Sequence, residues 1–389
     1  MKIAVVVNCL KIGGMERVAV NLADSFYNDG HSTDLIYLKN RKKEVNPRNK
    51  ELPVHLFNLK KAVLSTGIGV LWFFICKILN IVFKKTFPLW FSFAESYFFK
   101  KKLNQLEKKN GHPFDLIIFR GQGTFEHLWN LHDPRYVYVC ESVQTKYKYG
   151  KFSKYIFSKL FDNRKVVCVS DGAYDSFSDL IKTYSITPEK HLIISNPNDF
   201  QQIELESHTD KQLHHNSYIL GLGRLVPNKN FSLLIDAYNH AIKNHDIKQD
   251  LLIVGAGKDL HTIKKKIIAL NLTERIYLKG QQSNPFPWYK QADLFILSSK
   301  SEGLGMVLIE ALACQTKVVS TDCKGGVRQI MNGDLALFLA QETPTSLSEK
   351  IHLALNTEWD ESFDISVQKT LHNFDAKTII NKYINEFTG

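Results

Sequence analysis

Two carboxylates, Glu302 and Glu310, stand with seven residues between them, and the intervening stretch carries Gly303, Leu304 and Gly305. Carboxylates are natural acceptors for sugar hydroxyls. Bare glycine backbone at the start of a helix lets N–H groups approach an anion, and the helix dipole favours negative charge there. The stretch therefore offers an anion site with one carboxylate on each side. An isolated pair at this spacing reads better as a solvated loop Glu and a helix-surface Glu, so it is the partners that reverse the reading. Arg224 and Lys229 supply two cations within six residues, and they suit a diphosphate, Arg by its fork and Lys as a point charge. Gly13 and Gly14, with Glu16 behind them, give a second glycine-led helix start.

These residues need elements to place them. Leu294–Leu297 is a short apolar run, followed by the turn 298–305, a helical pattern through Val307, Leu308, Ala311 and Leu312, and a second apolar run at Lys317–Ser320. That is a strand–helix–strand unit with its strands in parallel. Similar strands are expected at Ile3–Val7, Leu35–Leu38, Asp115–Phe119, Tyr136–Cys140, Val166–Ser170, Tyr218–Leu222, Leu251–Val254 and Ile276–Leu278. Near-continuous apolar strands mark a parallel sheet covered on both faces, so the fold class is α/β. Ligands of such sheets bind beyond the C-terminal strand ends. Arg120, Glu141 and Asp171 fall there, as candidates on the acceptor side, with Glu141 a candidate catalytic group. Gly221–Val226 and Gly255-Ala256-Gly257 lack the third glycine of a dinucleotide fingerprint, and neither a Walker lysine motif nor an Asp-x-Asp metal motif occurs. The expectation is a site that uses no metal and no cofactor. His214 and His215 read as surface histidines.

The run SEGLGMVLIEALACQTKVVSTD closely resembles the donor-binding segment of retaining glycosyltransferases of "group 1" (family 4), which have the GT-B fold. It departs at Gln315 and Lys317, where members often carry Gly and Pro. G-R-L-x-x-x-K-N at Gly223–Asn230, the GG-x-E element at Gly13–Glu16 and the element Ile193–Asn198 extend the match. The resemblance implies two Rossmann-like doubly wound domains facing a central cleft. The first is residues 1–198, on the acceptor side, to which the tail 371–389 crosses back as a helix. A linker follows at 199–216, then the nucleotide-sugar domain at 217–370. It also implies that Gly13, Gly14, Glu16, Arg224, Lys229, Glu302, Gly303, Leu304, Gly305 and Glu310 hold the donor. Glu302 would take the sugar and Glu310 the ribose. Members often carry His where Glu141 stands.

Composition narrows the setting. The formal net charge is +11, and Lys39–Lys109 alone carries sixteen basic and four acidic residues, a net of +12. Such an excess attracts polyanions, either nucleic acid or an anionic membrane. Nucleic-acid binders interleave cations with presented aromatics or a recognised module. Here Lys60-Lys61, Lys84-Lys85 and Lys100-Lys101-Lys102 flank an apolar block, residues 62–99, which reads either as an ordinary buried helix or as an interfacial segment, and the flanking lysines favour the membrane surface. The uncharged run Ala62–Cys76 falls short of the roughly 20 residues a span needs. Six scattered cysteines read as reduced thiols of a cytoplasmic protein. The expected function is hexosyl transfer from a nucleotide-diphosphate sugar, UDP-linked in preference. The acceptor would be a glycan or lipid-linked one in surface polysaccharide or lipopolysaccharide synthesis, met at the inner face of the cytoplasmic membrane. The alternatives are a GT-B sugar-nucleotide 2-epimerase and a basic binding protein without catalysis.

Overall fold

The computed structural model describes residues 1–11, 13–41, 44–84 and 86–388, and two compact units divide it: Met1–Asn198 with Ala376–Gly389, and Asp199–Asp375.

The first unit is built on seven parallel strands: β1 Lys2–Val7, β2 Ser32–Tyr37, β3 Val54–Leu56, β4 Leu116–Arg120, β5 Tyr136–Cys140, β6 Lys165–Cys168 and β7 Lys190–Ile193, in the order β3-β2-β1-β4-β5-β6-β7. β1, β4 and β5 are buried at every residue, which is why they read as unbroken apolar runs. β2 begins earlier than its apolar residues suggest. Thr33 and Asp34 are buried in it, and Asp34 is satisfied by His55 at 2.6 Å. Helix α1 (Gly14–Asn28) follows β1. The apolar block then divides into three helices, α2 (Leu59–Leu64), α3 (Gly67–Val82) and α4 (Phe87–Asn110). Asn58 and Thr66 cap α2 and α3 with side-chain acceptors, and Gly111 closes α4 in the left-handed conformation. No helix among the described residues is long and apolar enough to cross a membrane. Lys85, part of the expected lysine cluster, lies outside the described residues. Helices α5 (Gln122–Phe125), α6 (Ser153–Phe161) and α7 (Asp171–Tyr184) complete the unit, with the C-terminal helix Ala376–Phe387 packed on it through Ile379, Ile380 and Tyr383.

The second unit starts inside the stretch read as a linker, because Phe200–Ser207 is a helix (α8) that packs on later elements. Six parallel strands follow in the order β10-β9-β8-β11-β13-β15: β8 Tyr218–Leu222, β9 Asp250–Val254, β10 Ile276–Gly280, β11 Leu294–Leu297, β13 Val318–Thr321 and β15 Leu339–Ala340. The connecting helices include α9 (Phe231–His245), α10 (Leu260–Ala269), α11 (Phe286–Lys290) and α12 (Met306–Ala313). A separate parallel pair, β12 (Ser301–Glu302) with β14 (Lys324–Gly325), sits at the end of β11. His214 is not a surface residue: it is buried and meets Asp250 at 2.8 Å, and Asp250 also accepts from Asn216 and Arg275. The polar cluster closes the N-terminal edge of the sheet, where water would otherwise reach buried backbone.

Candidate functional site

In the second unit the chemistry gathers where β8 and β11 end. After β8 the chain turns through Gly223 and Arg224 and makes a short 3-10 turn at Pro227–Lys229 before α9. After β11 it runs through Ser298–Gly305 into α12. Backbone and side chains lace the two loops together. Asn228 accepts from the Lys300 N–H at 2.8 Å and donates to the Ser301 carbonyl at 2.8 Å, and Ser298 donates to the Lys229 carbonyl at 2.9 Å. The result brings Lys229 Nζ to 2.6 Å from Glu302 Oε1, with only 17% and 11% of the two side chains exposed. Ser299 Oγ donates to the same carboxylate oxygen. Glu302 is thereby fixed by a cation and a hydroxyl. Burial first, then the charge of Glu302, pushes the neighbouring Cys323 thiol up to about 12. It stays protonated and adds no charge.

Three close backbone approaches keep these loops in place. A Cβ at Gly325 would lie 1.7 Å from the Glu302 carbonyl oxygen, and φ there is +121°. A Cβ at Gly255 would lie 1.9 Å from the Gly223 carbonyl oxygen, and one at Gly257 2.2 Å from that of Leu225. Gly305, at φ +100°, forms the left-handed entry to α12. Further along that helix, the buried Tyr289 donates its hydroxyl to Glu310 Oε2 at 3.1 Å, which orients the second carboxylate. Arg224 is exposed. The loop thus presents one exposed and one half-buried cation beside two held carboxylates, an arrangement that can bind an anion and hydroxyl groups together.

The first unit holds a second cluster, at the ends of β1, β4, β5 and β7. Arg120 is fully buried. Its Nη2 lies 2.6 Å from Glu141 Oε1 and 2.5 Å from Asn196 Oδ1, and its Nη1 donates to the Tyr383 hydroxyl at 3.4 Å. Burial pushes the Glu141 carboxyl above the usual carboxylate range, against the pull of Arg120 and Asn196, and the charge of Glu16 adds to the rise. Glu16 accepts from Cys9 Sγ at 3.6 Å, and Gly13 caps α1. Gly121 takes φ +77°, a backbone conformation that favours glycine, and the Met15 side chain lies against it.

The geometry revises part of the sequence reading. Arg120 was expected to face an acceptor. Its guanidinium is sealed from solvent and is held by Glu141 and Asn196. Asp171 sits exposed in the first turn of α7, with Ser170 as the cap, where a negative charge favours the helix dipole; that place explains it locally. Four partners were missed. Ser299 and Asn228 are ordinary loop residues in sequence, Tyr289 is remote from Glu310, and Tyr383 lies 263 residues from Arg120. Gly325 alone left a trace, as half of the pair Gly325-Gly326.

Residues 206–372 match the family model for glycosyl transferases, group 1. A Campylobacter jejuni N-acetylgalactosamine-N,N'-diacetylbacillosaminyl-diphospho-undecaprenol 4-alpha-N-acetylgalactosaminyltransferase is 33% identical over 199 residues, 50% of this chain and 53% of the relative. The Staphylococcus aureus capsular polysaccharide biosynthesis glycosyltransferase CapM is 23% identical over 60% of this chain and 63% of its own. The chain thus spans about half to three fifths of the length of these curated relatives. Among solved structures, HepE from Anabaena in complex with UDP superposes with a TM-score of 0.71 at 17% identity, over 100% of both chains. WaaG, a glycosyltransferase involved in lipopolysaccharide biosynthesis, gives 0.66 at 14% identity over 100% of this chain and 99% of its own. The fold is that of the GT-B enzymes.

Proposed function

From the match of residues 206–372 to the group 1 glycosyl transferases, we propose that the chain belongs to that family and moves a hexose-type sugar, with retention of configuration, from a UDP-sugar to a lipid-linked glycan of bacterial surface polysaccharide or lipopolysaccharide synthesis. The observation that carries the reading is the pair Lys229–Glu302 at 2.6 Å, beside exposed Arg224 and the glycine-led start of α12. Arg224 and Lys229 hold the diphosphate and take up the charge that grows on it as the sugar leaves, which is stabilisation specific to the transition state. Glu302, fixed by Ser299 and Lys229, accepts from the sugar hydroxyls. Glu310, steadied by Tyr289, accepts from the ribose. Gly303–Gly305 offer backbone N–H groups.

Glu302, held by Lys229 and Ser299, serves the sugar hydroxyls rather than attacking the anomeric carbon, and the reading is front-face transfer. The bond from the anomeric carbon to the phosphate oxygen breaks, the bond to the acceptor oxygen forms on the same face, and the acceptor proton passes to the departing phosphate. Glu141, in the first unit, orients the acceptor hydroxyl. The cations do the work a metal would do, so the reaction proceeds without one. UDP-bound HepE supports the choice of nucleotide, and the diphospho-undecaprenol acceptor in the name of the Campylobacter jejuni relative supports the acceptor class. The protein then works peripherally at the inner face of the cytoplasmic membrane. The test is release of nucleoside diphosphate from a panel of sugar nucleotides, with and without EDTA. A UDP-sugar should be consumed in both conditions. Conversion of the donor to its epimer, with no nucleotide released, would point to a 2-epimerase instead.

A further inference from the structure

Apart from Lys77 and Asn80, helix α3 is apolar all round. One side, with Trp72, Phe73 and Cys76, packs on α2 and α4 as a satellite core. The other leaves Ile68, Leu71, Phe74, Ile78, Ile81 and Val82 between 56% and 85% exposed. A helix of this character belongs inside a core or in lipid. Together with Val70, Ile75 and Phe83 these residues expose the equivalent of about five whole side chains. At roughly 150–250 Å² for a large side chain, that is on the order of 1,000 Å². The largest patch of an ordinary monomer is about 300–600 Å². At 1.5 Å per residue the helix is about 24 Å long, short of the roughly 30 Å hydrocarbon layer, so it lies along a surface.

The patch does not stop at α3. Phe83 meets Phe152 edge-on with centroids 6.1 Å apart. Tyr155, on α6, touches Trp129, which packs against Phe93 of α4. Phe152, Tyr155 and Phe93 are 42%, 58% and 45% exposed. Charge then selects the occupant. Residues 52–94 contain no Asp or Glu, and neither do residues 142–161. Between them the two segments carry exposed Lys60, Lys61, Lys77, Lys84, Lys151 and Lys154. Lys60 and Lys77 ride over the Phe73 ring at 5.4 and 4.8 Å, the posture of lysines whose stems lie along apolar surface. A second copy across a two-fold axis would set lysine against lysine with no acid in either segment to pair it. Anionic lipid fits both the apolar face and its cationic rim.

We propose that α3 and the aromatic–lysine segment 147–159 form one two-part face that lies in the headgroup layer of an anionic bilayer. The α3 axis runs parallel to the membrane, with Phe152 and Tyr155 inserted beside it. The face rests on the lipid-linked acceptor proposed above for its purpose. The loop between β5 and α6 begins at Glu141 and carries Tyr147 and Phe152, so a sugar held on the bilayer is presented next to that carboxylate.

The experiment is co-sedimentation of the full chain with phosphatidylcholine vesicles containing or lacking phosphatidylglycerol, without donor or acceptor. Wild type should pellet with the phosphatidylglycerol vesicles and lose most of its affinity in high salt. The double variant Leu71→Glu/Ile78→Glu, at two exposed positions, should stay in the supernatant. Phe152→Ser/Tyr155→Ser should bind at least tenfold more weakly, and Lys151→Gln/Lys154→Gln roughly fivefold more weakly per lysine at low salt. All should keep the wild-type melting temperature and UDP affinity. A wild type that never pellets, or a glutamate variant that turns a stable dimer into a monomer without changing sedimentation, overturns the proposal. So does a Phe152/Tyr155 variant that binds like wild type, since α3 then docks alone. Vesicle binding by a protein with no UDP affinity would leave the face standing and remove the proposed function.

Discussion

Replacing Glu302 by Gln separates the two tasks assigned to the Lys229–Glu302 pair. The change keeps size and shape, and the amide oxygen still accepts from Lys229 and Ser299. Two unit charges 2.6 Å apart attract by about 6 kcal/mol at an effective dielectric of 20, and desolvation and side-chain ordering offset most of that. What is lost is the charge assistance of the hydrogen bonds, the difference between about 1.5–3 and 0.5–1.5 kcal/mol. The expected loss of stability is therefore about 1–2 kcal/mol, a melting shift of a few degrees for a unit of this size. The hydrogen bond to the sugar loses the same charge assistance in the transition state, about 1–2 kcal/mol, or roughly five- to thirtyfold in turnover. Free UDP makes no use of Glu302 in this account, and Lys229 is released from its carboxylate partner. UDP affinity by calorimetry should therefore stay the same or rise. Nucleotide release and calorimetry on the same preparation give both numbers. If turnover and UDP affinity fall in parallel, Glu302 is part of the nucleotide site and the assignment of its role is wrong.

Other substitutions probe the supports. Gly325→Ala places a methyl against the Glu302 carbonyl at 1.7 Å in a backbone region that disfavours side chains, and should lower the melting temperature by several degrees and abolish nucleotide release. Gly14→Ala meets open space and should leave the fold unchanged. Arg120→Met strands a nearly buried Glu141, and thermal or denaturant unfolding should show a loss of about 3–5 kcal/mol. For Asp250, burial raises the carboxyl, but the bonds from His214, Asn216 and Arg275 outweigh it and hold the group below its ordinary value. A depressed carboxylate contributes stability that is fully present above its unfolded value, near 3.9, and is lost as pH falls through its folded value. Asp250→Asn should therefore cost stability at pH 7, and the gap to wild type should narrow below about pH 4 in unfolding curves.

Much of this architecture was legible because buried parallel strands must be apolar along their whole length. β1, β4, β5 and β11 announce themselves in this way. β2 and β3 were blurred by Thr33, Asp34 and His55: buried Thr33 donates to the His31 carbonyl, and buried Asp34 is satisfied by half-buried His55. The donor-side loops were legible as types and spacings: two cations, two carboxylates and glycines at helix starts. Their mutual arrangement was not, since Lys229 and Glu302 are 73 residues apart and only the lacing by Asn228 and Ser298 brings them together. Arg120 misled because an arginine at a strand's C-terminal end is normally solvated. Burial of that residue depends on Glu141, Asn196 and Tyr383, contributed by three distant segments. The apolar block 62–99 betrayed its composition but not its division at Thr66 and Thr86, which decides which side of α3 remains outside.

The central claim is that the second unit binds a nucleoside diphosphate through Arg224 and Lys229. Calorimetric titration of UDP into wild type, Arg224→Ala and Lys229→Ala tests it most directly. The account predicts saturable binding to wild type, weakened about tenfold or more in each variant, as expected for loss of a charge-assisted bond to phosphate, and unchanged by EDTA. Absence of UDP binding to wild type, or equal affinity in all three proteins, would contradict it.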